Sequence, residues 1–157
     1  MIVVADSSPL NYLILIDEIE LLPALYDKIL VPQEVHRELQ RAAAPHSVQA
    51  WAGSLPGWCE VRPVPAVLDP ALDELDPGER DAIQLALTTG VDTVLIDESA
   101  GRREALRRHL HVTGTLAVLE KAGGRGLIRF RDALDKLERT NFRLSPAIRE
   151  EFFRRNP

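Results

Sequence analysis

The sequence predicts an α/β domain built on a parallel β-sheet, and three observations support this fold class. Two short runs, residues 2–5 and 93–96, are rich in Val, Ile and Leu without alternating polar residues, which is typical of strands buried on both faces of a parallel sheet. Segments with helical periodicity separate such runs. The 157 residues, 45% of them hydrophobic, suit one domain with a substantial core.

The N-terminal part predicts the element order β-α-α-β-α. The first strand leads directly into a helix that runs to about residue 16, with Ser8 as its N-cap and Pro9 in its first turn. Asp17 is predicted to cap a second short helix. After a strand at residues 29–31, Pro32 opens another helix, so this part of the chain has an α/β pattern.

The remainder of the chain continues to alternate helices and strands. The proline-rich segment 42–70 predicts a short helix, a loop and a strand at 59–62, and Asp76 is predicted to cap a helix that ends near Gly90. Beyond residue 97, we predict a helix over 101–109, a strand over 111–113, a helix over 115–122 and two helices from residue 130 onward, the last capped by Ser145.

Composition narrows the classes of function. The net charge of −5 argues against binding nucleic acid by overall charge alone. Cys59 is the single cysteine, so neither an internal disulfide nor a cysteine-rich zinc site is possible. We expect no membrane span and no secretory signal, and therefore a cytoplasmic protein.

Both apolar runs end in an aspartate, Asp6 after the first and Asp97 after the second. Ligands of open parallel sheets bind outside the carboxyl ends of the strands. Each acid also has a structural explanation, Asp6 as a turn or capping residue and Asp97 as the cap of the following helix. Because the arrangement occurs twice, it favours a site that holds a cation.

Glu38 is a third candidate, on the helix opened by Pro32. It lies beside the stripe of Val35 and Leu39, at the edge of the face that meets the core. A solvated carboxylate paired with an arginine of the same helix is the alternative. Glu34, in the first turn, is explained by the helix dipole and needs no function.

Glu79 is a fourth candidate because it lies at the centre of an apolar stripe that includes Ala82 and Ile83. Asp81 points nearly the opposite way. An acid at the inward face of a helix start is either a capping-box partner, here for Asp76, or a ligand for a charged group.

Four acids in one pocket would raise each other's pKa values unless a cation relieved the repulsion. Oxygen ligands without a suitable His or Cys grouping favour Mg²⁺ or Mn²⁺. Such ions can activate water and stabilise charge during hydrolysis of a phosphodiester. The pattern therefore indicates metal-dependent phosphodiester chemistry.

Several short motifs occur together, at residues 6–10 (Asp-Ser-Ser-Pro-Leu), 31–39 (Val-Pro-Gln-Glu-Val-His-Arg-Glu-Leu), 76–79 (Asp-Pro-Gly-Glu, followed by Gly90), 95–98 (Leu-Ile-Asp-Glu) and 112–116 (Val-Thr-Gly-Thr-Leu). In this order and spacing they resemble the PIN-domain family and, more narrowly, PIN-like proteins related to the VapC toxins of toxin-antitoxin modules. The resemblance covers about residues 2–128 of a single domain over 1–157, with residues 129–157 as a C-terminal helical extension.

This resemblance implies a three-layer α/β/α sandwich with a mainly parallel central sheet. It implies an endoribonuclease dependent on Mg²⁺ or Mn²⁺, with RNA as the substrate and a small antitoxin protein as the partner. The four acids of the family fall on Asp6, Glu38, Glu79 and Asp97. Apolar helix faces near residues 115–122 and in the tail also allow a homodimer.

Two departures from the family pattern leave alternatives open. Leu95 stands where many PIN domains have Thr or Ser, so the hydroxyl contact is missing or is taken over by Ser99. Asp81 competes with Glu79 for the third acid. A catalytically inactive PIN-like module that binds nucleic acid or a partner is therefore the alternative. A phosphatase with an aspartyl nucleophile is disfavoured, because Ser8 stands where it needs a second aspartate.

A basic cluster follows Asp97, and it comprises Arg102, Arg103, Arg107 and Arg108. The first three are our candidates for contacting RNA phosphates. A solvated helix face with ion pairs to Glu98 and Glu104 explains the same pattern.

Overall fold

Five parallel strands form one sheet within residues 1–66 and 69–157, which a computed structural model of the protein describes. The spatial order is β3-β2-β1-β4-β5, with β1 at Ile2–Ala5, β2 at Lys28–Pro32, β3 at Cys59–Arg62, β4 at Thr93–Leu95 and β5 at His111–Thr113. Val4 pairs with Leu30 on one side and with Val94 on the other. The first strand therefore occupies the middle of the sheet.

Helices connect the strands and pack on both faces of the sheet. Their bounds are α1 Ser7–Leu15, α2 Leu21–Leu25, α3 Gln33–Leu39, α4 His46–Ala52, α5 Pro77–Thr89, α6 Ser99–Arg107, α7 Thr115–Gly124, α8 Phe130–Glu138 and α9 Pro146–Arg155. None of the helices in the described ranges 1–66 and 69–157 is both long and apolar enough to cross a membrane.

Alternate residues of β1 enter two different apolar cores. Val3 and Ala5 are fully buried against a core that includes side chains of α1, α7 and α8. Val4 is fully buried against a second core, which includes Ile83 of α5 and Ala105 of α6. Because both faces are covered, the sheet is the middle layer of an α/β/α sandwich, and the predicted fold is confirmed.

The start of α1 differs from the prediction that Ser8 is its N-cap. Asp6 has extended backbone angles, and its Oδ1 accepts a hydrogen bond from the Ser7 N–H at 2.8 Å, so the helix begins at Ser7. The Ser8 hydroxyl donates instead to Asp97. The prediction that Asp17 caps the next helix is also wrong, because Asp17 closes the turn after α1 in a left-handed conformation with φ of 60°.

Other boundaries agree with the sequence patterns to within a few residues. Asp76 caps α5, and Gly90 follows the helix with φ of 74°. α7 extends to Gly124, beyond the predicted stop. Gly123 packs closely on the start of α8, where an added Cβ would lie 3.2 Å from the Phe130 Cβ. Part of the predicted irregular segment, residues 67 and 68, lies outside the described residues.

Candidate active site

Asp6 follows the central strand at the carboxyl edge of the sheet, next to the end of β4. Its N–H donates to the Leu95 carbonyl at 3.0 Å, so the two strand ends are held together. Only 3% of Asp6 is exposed. The same carboxylate that caps α1 is therefore buried at the edge where parallel sheets bind ligands.

Asp97, two residues beyond β4, accepts three hydrogen bonds. Thr115 donates both its N–H and its hydroxyl at 2.7 Å, and the Ser8 hydroxyl donates at 2.9 Å. These hydroxyls supply the contact that Leu95 lacks, in place of the predicted Ser99. Asp97 thus connects the end of β4 to the starts of α1 and α7.

Glu38, in the last turn of α3, faces Asp6. The Ser7 hydroxyl donates to Glu38 Oε2 at 2.7 Å. Burial is the main factor that raises the pKa of Glu38, with the nearby charge of Asp76 adding to it, while the Ser7 hydrogen bond opposes the shift. Ser7 therefore holds two acids, one by its backbone and one by its hydroxyl.

Gly78, in the first turn of α5, provides the space into which Asp6 and Glu38 point. A Cβ at this position would lie 2.7 Å from Glu38 Oε1 and 2.8 Å from Asp6 Oδ1. Both distances are shorter than real Cβ atoms show, so a side chain at residue 78 would displace the carboxylates. The glycine of the 76–79 motif thus shapes the candidate site, which the sequence reasoning missed.

Gly78→Ala is expected to lower any catalytic activity that depends on the placement of Asp6 and Glu38 roughly 10-fold or more, because small displacements of catalytic groups have large effects on rate. Stability should change little, since alanine favours a helix and both groups that must move are side chains. Gly124→Ala is the matched control, because a Cβ there has nothing within 4 Å. Unchanged activity of Gly78→Ala, measured beside this control, would contradict the role assigned to the glycine.

Glu79 is buried, with 4% exposure, behind the Asp76 cap. Asp76 Oδ1 accepts the Glu79 N–H at 2.9 Å, which is one half of a capping box. Burial, followed by contact with Asp76, raises the pKa of Glu79 to about 8. The side chain also lies close to α6, because a Cβ at Gly101 would be 3.0 Å from Glu79 Oε2.

Asp76 is an additional acid of this cluster. It is exposed at the rim, and its charge raises the pKa values of Asp6, Glu38 and Glu79. The sequence pattern at Asp76 is fully explained by its role as a helix cap. Nothing else in the sequence therefore indicated that Asp76 lies near the other acids. The link to Asp6 and Glu38 arises only from tertiary packing.

Glu34, which the helix dipole explains, and Asp81, the competitor of Glu79 for the third acid, both lie in ion pairs. Glu34 pairs with Arg37 at 2.5 Å and with Arg41 at 3.3 Å. Asp81 pairs with Arg80 at 3.1 Å. These carboxylates already have cationic partners within the protein.

The four candidate acids have no such compensation. Among the ion pairs formed by residues 1–66 and 69–157, none includes Asp6, Glu38, Glu79 or Asp97. Burial, together with the charges of Asp76, Glu38 and Asp97, raises the pKa of Asp6 to about 8. A cation from outside the chain would favour the ionised form of Asp6.

The acids suit a hard divalent cation, although they do not form a closed cage. Within the described parts of the chain, no three His, Cys, Asp or Glu side chains are grouped closely enough to hold a metal directly. Mg²⁺ is usually bound by one or two carboxylates, with water and substrate phosphates as its other ligands. Asp6 and Asp97, two carboxylates without an ion-pair partner in the described residues, fit this mode of binding.

The three candidate arginines lie in different environments. Arg102 donates from Nη1 to the Ile96 carbonyl at 3.0 Å, and a Cβ at Gly114 would lie 2.8 Å from both this Nη1 and Asp97 Oδ1. Arg103 is exposed, and Arg107 is exposed and lies 3.6 Å from Glu104. The structure therefore brings Arg102 to the acids and leaves the other two on the surface of α6.

The fold and the site define an α/β protein with an acidic cleft at the carboxyl edge of a parallel sheet. A family model described as a PIN domain matches residues 2–156, and the chain therefore belongs to the PIN-domain family. PIN domains are generally nucleases and typically use divalent metals. No curated protein and no solved structure matches the chain.

Proposed function

We propose that the protein is a metal-dependent endoribonuclease that hydrolyses RNA phosphodiester bonds. The observation that carries this proposal is the buried Asp6 carboxylate, which lies among other acids and has no ion-pair partner in the described chain. Buried carboxylates with strongly raised pKa values are typical of functional sites, and a bound cation would stabilise their ionised form. Membership of a family of nucleases supports the same conclusion.

In this proposal Asp6 and Asp97 hold Mg²⁺ or Mn²⁺, and Glu38 and Glu79 complete the site directly or through water. When bound, the ion would activate water and stabilise charge on the phosphodiester. Hydrogen bonds from the protein orient the acids before substrate arrives: Ser7 fixes Asp6 and Glu38, while Ser8 and Thr115 fix Asp97.

The presence of Leu95 gives little support to the alternative of an inactive binding module. The hydroxyls of Ser8 and Thr115 contact Asp97 at 2.9 and 2.7 Å, so the acid is oriented without a hydroxyl at residue 95. This geometry favours a working centre over one that has lost a ligand.

Purified protein should cleave an unstructured RNA in the presence of Mg²⁺ or Mn²⁺ and should stop when EDTA is added. Calorimetry of the same preparation should show saturable Mn²⁺ binding, because the acids lack cationic partners. Saturable RNA binding without cleavage under any of these metal conditions would favour the inactive module instead.

We further propose that the protein acts in the cytoplasm as the toxin of a toxin-antitoxin pair, with a small antitoxin protein as its partner. The resemblance of the five sequence motifs, in their order and spacing, to PIN-like proteins related to VapC toxins supports this narrower relationship. A small antitoxin-like gene directly beside this one would agree with the proposal. A homodimer is part of the same hypothesis, and light scattering of the purified protein tests it.

A further inference from the structure

Tyr12 of α1 lies between two grooves that flank the acids. The larger groove, of about 810 Å³, is lined by Tyr12, Ser8 and Asp97 and extends to Phe142. The smaller, of about 350 Å³, is lined by Tyr12, Ser8 and Glu38. Because the grooves share Tyr12 and Ser8, a strand that runs from one groove to the other would pass these two residues.

Each groove also contains an arginine. Arg102 lines the larger groove, where the Ile96 carbonyl holds its guanidinium beside Asp97. Arg41 lines the smaller groove and keeps 61% of its side chain exposed while pairing with Glu34. Arginine side chains on both sides of the acids suit contacts with successive phosphates of a nucleic-acid strand.

The ring of Tyr12 is held in a fixed position. Its hydroxyl donates to Asn141 Oδ1 at 2.9 Å, and its ring packs edge to face with Phe142 at a centroid distance of 4.9 Å. In such a pair, one ring presents only its edge to the other, so its faces stay free of that partner. Aromatic faces beside a phosphate track are the usual stacking platforms for unpaired bases.

We propose that the Tyr12–Phe142 pair stacks an unpaired RNA base next to the scissile phosphate, while Arg102 and Arg41 contact phosphates on the two sides of the acids. The pair is a positioning site, since it aligns the strand and takes no part in the chemistry. This inference rests on the proposed ribonuclease function and adds a requirement for a base at one defined position.

A series of RNA substrates tests this requirement on the unmodified protein. Each substrate carries one abasic nucleotide, moved stepwise along an otherwise identical, unstructured sequence. We expect kcat/KM to fall roughly 5- to 100-fold when the abasic nucleotide occupies one position near the cut, and little elsewhere. Equal cleavage of all substrates by an active enzyme would overturn the stacking site and leave the ribonuclease function intact. Absence of any metal-dependent cleavage would overturn both.

Variants of Tyr12 separate stacking from structural support. In the cleavage-deficient Asp6→Asn background with EDTA, fluorescence anisotropy would measure binding of the intact RNA and of the most affected abasic RNA. Tyr12→Leu should weaken binding of the intact RNA and remove the difference between the two, whereas Tyr12→Phe, which keeps the ring, should preserve it. If Tyr12→Leu weakens binding of both RNAs equally, or of neither, the stacking role is wrong.

Discussion

Asp6→Asn is expected to abolish RNA cleavage and at the same time to stabilise the metal-free protein at alkaline pH. The amide oxygen can still accept the Ser7 N–H, so the cap of α1 is retained. The change removes a carboxylate that is 3% exposed and surrounded by other acids. We expect a loss of at least roughly 10²-fold in kcat/KM and a gain of about 1–3 kcal/mol in the free energy of unfolding near pH 8.

Urea denaturation in EDTA and cleavage assays with Mn²⁺ would measure the two effects on one preparation. Asp135→Asn is the matched control, because it makes the same chemical change at an exposed position on α8. It should leave both quantities unchanged. An Asp6→Asn protein that cleaves normally, or that is less stable than the unmodified protein near pH 8, would contradict the assigned role.

This opposition between activity and stability distinguishes a functional acid from a structural one. Most substitutions of buried residues destabilise a protein, whereas removing an uncompensated charge from an active site commonly stabilises it. Asp6 has both kinds of contact, a capping bond through Oδ1 and proximity to Glu38 across Gly78. Asparagine retains the capping hydrogen bond and removes the negative charge near Glu38. The variant therefore separates the structural contact from the electrostatic one.

The sequence predicted the strand-end and helix-face acids because their positions follow from local periodicity. The apolar runs locate the carboxyl ends of β1 and β4, and in a parallel sheet those ends share an edge. Helical phase alone places Glu38 and Glu79 on inward faces. The positions of these four acids could therefore be predicted without knowing the side-chain contacts around them.

The supporting contacts were not predictable because they depend on which elements are neighbours in space. Thr115 reaches Asp97 only because β5 lies beside β4. Gly78 matters only because α3 brings Glu38 across the start of α5. Neither relationship follows from spacing along one helix or strand.

The start of α1 shows how one local rule can override another. A Ser-Pro pair is a strong signal for a helix start, yet the preceding Asp6 accepts the Ser7 N–H and begins the helix first. This competition freed the Ser8 hydroxyl to contact Asp97. The wrongly predicted start of α1 and the unpredicted hydrogen bond from Ser8 to Asp97 therefore have the same cause.

The metal-free protein is expected to lose stability as pH rises from about 4 to about 8. Folding raises the pKa of Asp6 from 3.8 to about 8 and that of Glu79 from 4.5 to about 8. Within this window the folded state holds protons that the unfolded state has released, so the free energy of unfolding falls with increasing pH. The stabilising contribution is complete below about pH 4 and is lost above about pH 8. We expect a decrease of several kcal/mol, measured by urea denaturation in EDTA.

The origin of this slope can be isolated by substitution and by metal. An Asp6→Asn/Glu79→Gln double variant should show a much flatter dependence. Glu60 and Asp69, whose pKa values are lowered chiefly by hydrogen bonds, contribute only at the acidic end of the range. Saturating Mn²⁺ should stabilise the unmodified protein more strongly as pH rises, because binding displaces the protons held by these acids. A steep slope that persists in the double variant would assign the effect to other groups. Lack of any Mn²⁺ stabilisation near pH 8 would show that the acids repel one another without forming a cation site, which would remove the basis for metal-dependent hydrolysis.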